Sequence, residues 1–137
     1  MSDRIDSPIL EIPLPARRAH TLGLVIFRRI ASHGLHDARA TMLAVDAAGS
    51  EFRRLLVLAR TLVVDLARTS QRRITLAPCC APGMTRDEGL LMAMTGGGGL
   101  DIHAALTDDA SCHAAMTTAH AYGQELDRLA RHNGWRS

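Results

Sequence analysis

Lysine is absent from this chain, and every one of its sixteen basic residues is arginine. That excludes lysine-based catalysis. It also fits the codon usage of a GC-rich genome. Aromatic residues make up only 3% of the chain, so the core must be built from Leu, Val, Ile, Met and many alanines. Small residues of that kind suit close packing of helices. With no base-stacking aromatics set between the basic residues, the chain has no single-strand nucleic-acid platform. No apolar run approaches the ~18 residues that a membrane-spanning helix needs. The opening "MSDRIDSPILEIPLPARR" places acids and prolines where a secretory signal needs an apolar stretch. The expectation is therefore a cytoplasmic protein with no membrane segment, its thiols kept reduced and without a structural disulfide.

Other chemical signatures are missing too. There is no G-x-S-x-G nucleophile elbow and no C-x-x-C pair of the thioredoxin type. The four consecutive glycines at 96–99 lack the G-x-G-x-x-G spacing and the preceding strand of a dinucleotide fingerprint. They read as a helix stop followed by a hinge or flexible loop. The carboxylate pairs Asp87-Glu88 and Asp108-Asp109 read as helix caps. Asp65, inside an apolar segment, reads as an ion-pair partner of Arg60 or Arg68.

The composition that remains is that of one globular domain. Apolar residues are 47% and charged residues 22% of 137 positions, enough for one self-sufficient core. The net charge of +2 is unevenly spread, with the basic excess in the first half. Residues 1–16 hold three of the five prolines and read as an extended arm, apolar enough in "ILEIPLP" to lie on a partner or on its own domain. Residues 17–137 read as a single helical domain.

From Ala16 to Ala77 there is no proline, and Gly34 and Gly49 fall where helix C-termini are expected. Leu22, Val25, Ile26 and Ile30 share one face of a segment from Arg17 to His33. Ala38, Met42 and Val45 share one face of a segment from His36 to Ala48. The third segment is the most apolar. Ser50 stands at its N-cap position, Phe52, Leu55, Leu56, Ala59, Leu62, Val63 and Leu66 form a stripe, and Val57, Leu58 and Val64 lie off it. Such a helix is expected at the centre, covered on most sides. "RRITLAP" predicts a short extended segment near 73–77. Thr85-Arg86-Asp87-Glu88 is a capping-box pattern, predicting a helix from Arg86 to about Thr95. A short helix over 100–106 and a long one capped by Asp108 or Asp109 complete the chain. The last helix should bury Met116, Ala119, Tyr122, Gly123, Leu126 and Leu129, with His113, Thr117, His120, Gln124, Asp127 and Arg131 opposite. The fold class expected is all-α, an antiparallel bundle of five to six helices with one short extended segment.

Two stretches, "FRRIASHGLHDARA" and "RRITLAPCCAPGMTRDE", carry a resemblance. The chain is similar across Phe27 to Glu88 to a small family of uncharacterised alphaproteobacterial proteins. The resemblance implies a bacterial origin; that family has no assigned activity and transfers no site residues.

Chemistry concentrates in the second of those stretches. Cys79 and Cys80 are neighbours between two prolines, and Cys112 is the only other cysteine. Cys79, Cys80, Cys112 and His113 would give zinc three thiolates and an imidazole, although adjacent residues point apart and make uncommon ligand pairs. A reactive thiol is the second reading, with Cys112 near a helix N-terminus and the 79–80 pair as its redox partner. The third is packing, since a free cysteine behaves as a small hydrophobe. His33 and His36 flank Gly34 and are too weakly registered to be a ligand pair. His113 and His120 are two turns apart and cannot chelate one ion alone. The doublets Arg17-Arg18, Arg28-Arg29, Arg53-Arg54 and Arg72-Arg73 are the only nucleic-acid feature, and no recognition helix accompanies them. The functional expectation is a self-associating interaction or regulatory module, a homodimer or larger. The alternatives are a metal or thiol sensor or enzyme on the cysteines, and weak nucleic-acid binding by the arginine doublets.

Overall fold

The computed structural model describes residues 9–69, 73–97 and 113–135. The described chain is mostly helical, with one small two-stranded sheet. Strand β1 (Ile12–Pro13) precedes helices α1 (Arg18–His33) and α2 (Ala38–Ala48). A 3-10 turn (Gly49–Glu51) leads into α3 (Phe52–Thr69). Strand β2 (Gly83–Met84), α4 (Arg86–Thr95) and α5 (Ala114–His132) follow.

The glycine stops fall where local chemistry demands them. Gly34 ends α1 at φ 111° with its amide on the Ile30 carbonyl, and Gly49 ends α2 at φ 57°; both angles favour a residue without Cβ. Helix α2 begins at Ala38 rather than near His36, because the Asp37 side chain accepts from the Ala40 amide and caps it. Ser50 is not a cap: it lies inside the 3-10 turn. Helix α4 spans Arg86–Thr95 with both capping-box bonds present between Thr85 and Glu88. Helix α5 starts at Ala114 with His113 at the N-cap and no side-chain cap, so neither Asp108 nor Asp109 is its capping residue. The 100–106 segment lies outside the described residues.

Helices α1, α3 and α5 pack together, with α2 against α1 and α3, and α4 against α5. Of the expected α3 stripe, Leu55, Leu56, Ala59, Leu62 and Leu66 are buried, and Phe52 and Val63 are half-buried. On α5, Ala119, Tyr122, Gly123, Leu126 and Leu129 are buried as expected, and Met116 is half-buried. Two close approaches lock the helices. Gly123 lies so near the Thr95 carbonyl that any Cβ would overlap it. The Tyr122 hydroxyl donates to the Gly23 carbonyl at 2.7 Å, and complete burial holds the phenol far above its ordinary pKa.

Three expectations fail for one reason: partners, not periodicity, choose the buried face. Helix α1 buries Ala19, Gly23, Leu24, Ile26, Phe27 and Ile30, while Leu22 and Val25 are only half-buried, because neighbours cover it on several sides. Helix α2 buries Ala40 and Ala44 instead, leaving Met42 62% and Val45 41% exposed. Small alanines let α2 approach its neighbours, and the larger side chains turn outward. Val57 on α3 is 55% exposed, so that helix keeps an open flank.

The extended segment near 73–77 forms no strand. Its amides are taken by carboxylates: Thr75 donates to Asp87 at 2.7 Å and Ala77 to Glu88 at 2.9 Å. The antiparallel ladder instead pairs Ile12 with Met84 and Pro13 with Gly83. The proline-rich arm is therefore tied to the chain at β1, and Ile12 fills the space beside Gly89.

Candidate functional site

The loop carrying Cys79 and Cys80 is closed around a buried ion pair. Arg28 on α1 and Glu88 on α4 both have 0% side-chain exposure. The pairing is bidentate, with Nε to Oε2 and Nη2 to Oε1 each at 2.8 Å. Burying a charged pair is costly unless the remaining polar sites are satisfied, and here they are. Arg28 also donates to the Gly83 carbonyl at 2.7 Å and reaches the Ala81 carbonyl at 3.5 Å. Glu88 accepts the amides of Ala77 and Thr85, each at 2.9 Å. The Thr85 hydroxyl donates to the Thr75 carbonyl at 2.8 Å. One guanidinium and one carboxylate thus grip the loop before and after its tip, which sets a local geometry that the loop's own sequence does not specify.

The tip presents the two thiols. Cys79 is half-buried and Cys80 exposed, both free, with their Sγ atoms 3.4 Å apart. Arg29, next along α1, holds Asp37 with two bonds of 3.0 Å and places Nη1 3.9 Å from the Cys79 sulfur. The Cys80 thiol donating to Cys79, then the Arg29 guanidinium, hold the Cys79 thiol below its ordinary pKa. The same contact pushes Cys80 up, since its proton is the one shared. Asp37, paired with Arg29 and capping α2, is held below the usual carboxylate range. A cavity of about 380 Å³ opens beside Cys79, lined by Arg28, Ser32, His33, Leu76, Ala77, Pro78 and Cys79.

Of the four residues expected to form a metal site, Cys79 and Cys80 come together. His113 is exposed at the N-cap of α5. Cys112 lies outside the described residues. Among the described residues there is no group of three or more His, Cys, Asp or Glu side chains arranged to hold a metal ion. The histidines take other roles: His33 ends α1 exposed to solvent, and His20 is buried with Nε2 2.9 Å from Asp127.

Of the arginine doublets only Arg28-Arg29 turns inward; Arg17, Arg18, Arg53, Arg54 and Arg73 are exposed, and Arg72 lies outside the described residues. Arg17 donates to Asp127 at 2.8 Å, Arg18 lies over Trp135, Arg53 lies over Phe52, and Arg54 donates to Glu125 at 2.9 Å. Asp65 accepts from Thr118 at 2.9 Å, and Arg60 donates to the Leu35 carbonyl at 2.6 Å. Sequence reasoning missed Arg28–Glu88 and Arg29–Cys79 because each links positions 60 and 50 residues apart. The available signal was an arginine doublet inside an apolar helix face, where one member must turn inward and find a carboxylate.

Compared with known sequences, the chain matches, over residues 1–137, the family of unknown function DUF6628, and belongs to it. No curated protein and no solved structure matches it. No helix among the described residues is long and apolar enough to cross a membrane.

Proposed function

We propose that this protein is a small cytoplasmic regulatory module of bacterial origin that responds to the state of its Cys79–Cys80 thiol pair. Cys79 is the reacting thiol and Cys80 the resolving one. The observation that carries the reading is the placement of two free sulfurs 3.4 Å apart, with the Arg29 guanidinium 3.9 Å from Cys79. A thiolate is the reactive form of cysteine, and a neighbouring cation favours it. The loop's grip on Arg28 and Glu88 links the pair to α1 and α4, so a change at the sulfurs acts on the helices directly. The domain is residues 17–137, an antiparallel bundle of five to six helices, with residues 1–16 as its arm. Self-association belongs to the same reading: Met42, Val45, Leu35 and Val57 offer exposed apolar surface on and beside α2 and α3.

Competitive alkylation of the reduced full-length protein, mapped by mass spectrometry, tests the assignment. Cys79 should react faster than Cys80, and Arg29→Ala should slow it at neutral pH. Equal, slow alkylation of both thiols with no effect of Arg29→Ala would sink the proposal. Metal content on the same chelator-free preparation separates the zinc reading. About one zinc per chain, with thiols silent until chelation, would replace the redox role by a ligand role for Cys79, Cys80, Cys112 and His113. Light scattering over a range of concentrations tests self-association, and an invariant monomer mass removes it.

A further inference from the structure

The cavity beside Cys79 does not stand alone. A second, of about 320 Å³, is lined by Phe27 and Ala31 of α1, Val63, Leu66 and Ala67 of α3, and Arg73, Ile74 and Leu76 of the connecting segment. Leu76 lines both cavities. The α1 residues of the two sites interleave along the chain, with Phe27 and Ala31 in one and Arg28 and Ser32 in the other. Both are lined by residues of one segment, 73–79. The second cavity is lined by apolar side chains and by Arg73. The other ends at a sulfur.

We infer that the groove selects organic hydroperoxides bearing an apolar substituent, seating the substituent in the lobe of Phe27, Val63 and Leu66 and the peroxide group at Cys79. This inference rests on the thiol-pair reading above and names its oxidant class. Hydrogen peroxide has no apolar part to place in such a lobe, whereas an aryl or alkyl hydroperoxide does. The Cys79 thiolate attacks the terminal, hydrogen-bearing oxygen of the hydroperoxide. The O–O bond breaks, the alkoxide leaves and takes a proton to become the alcohol, and Cys79 becomes a sulfenic acid. The Cys80 sulfur then attacks the Cys79 sulfur. An S–S bond forms, and the sulfenic hydroxyl leaves as water with the Cys80 proton. Two thiols are oxidised to one disulfide, and one hydroperoxide is reduced to alcohol and water.

The test compares cumene hydroperoxide with hydrogen peroxide on the reduced full-length protein. Loss of the two thiols and loss of two hydrogens from the 79–80 peptide are followed by mass spectrometry. Cumene hydroperoxide should react at least about tenfold faster in the folded protein, an effect on the scale of burying two methylene groups. The preference should collapse in urea. Ala31→Glu and, from the facing helix, Ala67→Glu put a charge into the apolar lobe at solvent-exposed positions. Each should bring the rate ratio down toward that of the unfolded chain, and the pair guards against one variant that merely folds poorly. Equal rates for the two peroxides in the folded wild type would overturn the inference while leaving the thiol-pair reading in place. Intact thiols after both peroxides would overturn both.

Discussion

Two arginine–carboxylate networks in this molecule are alike in chemistry and opposite in setting. At the thiol loop, Arg28 and Glu88 are wholly enclosed and grip four backbone groups at 2.7–2.9 Å or 3.5 Å around the loop. Across the molecule, Arg128 bonds Glu125 at 2.6 Å and Glu51 at 3.1 Å, and Arg54 adds a bond to Glu125. There the arginine side chains are 47% and 67% exposed. Water competes for the second network and cannot reach the first. The enclosed pair therefore dictates a backbone shape, whereas the open one decorates helices already held by their apolar faces. The difference teaches that ion pairs shape this fold only where they replace solvent for the main chain.

The largest effect expected is at the enclosed pair. Arg28→Ala should cost about 3–5 kcal/mol, because it strands a buried carboxylate, as read by chemical denaturation. Arg28→Met combined with Glu88→Leu sharpens the point. If the pair mattered only as a pair, the double change would recover stability. It should not, because the Ala77 and Thr85 amides lose their acceptor.

Next comes a position where the close approach of two helix backbones is at stake. Gly123→Ala drives a methyl into the Thr95 carbonyl and should cost at least about 1–3 kcal/mol. A thermal midpoint unchanged from wild type would show that the α4–α5 approach is looser than described.

The thiol loop itself gives a two-sided test. The groups around Cys79 are Cys80, Arg29 and Arg39, with His33 and Arg28 lining its cavity and Asp37 holding Arg29. Its depressed pKa means that the thiolate persists to lower pH than in free cysteine, and alkylation slows only as pH falls through that lowered value. Arg29→Ala should move the midpoint of the pH–rate profile up. Asp37→Asn should move it down, since the guanidinium is then less neutralised and Asn still caps α2. Shifts in the same direction for both would break the assignment.

The smallest effect belongs to the open network. Arg128→Ala should cost about 1 kcal/mol, because Arg128 is 47% exposed and Arg54 still pairs with the buried Glu125. Burial alone would push Glu125 up, but the bonds from Arg128 and then Arg54 prevail and hold it below the usual carboxylate range. A depressed folded value stabilises above the unfolded pKa of about 4.3 and loses that contribution as pH falls through the folded one. The Arg128→Ala deficit should therefore shrink in acid, which denaturation at a series of pH values reads directly.

How much was legible beforehand follows from the range of each interaction. The α4 boundaries were readable because Thr85 and Glu88 satisfy each other's amides within one turn. The stops at Gly34 and Gly49 were readable because the backbone angle is a property of that residue. The α3 stripe was readable because one strongly apolar face leaves a single choice. The α2 face was not: Ala38, Met42 and Val45 make as good a stripe as Ala40 and Ala44, and only the closeness of α1 and α3 favours the smaller side chains. At the candidate site, the vicinal thiols and the capping glutamate were visible as residues, but their function within the loop was not.

By itself, then, the amino-acid order determined the mostly helical class, the Thr85–Glu88 capping box, the glycine stops at 34 and 49 and the presence of two adjacent thiols, all through contacts spanning a few residues. Tertiary structure alone decided that Arg28 turns inward to Glu88, that Arg29 reaches Cys79, and that Leu76 lines both the apolar cavity and the one at Cys79. Each of those joins elements 50 or 60 positions apart or cavities walled by several elements, and such encounters depend on how whole helices pack, which local periodicity does not encode.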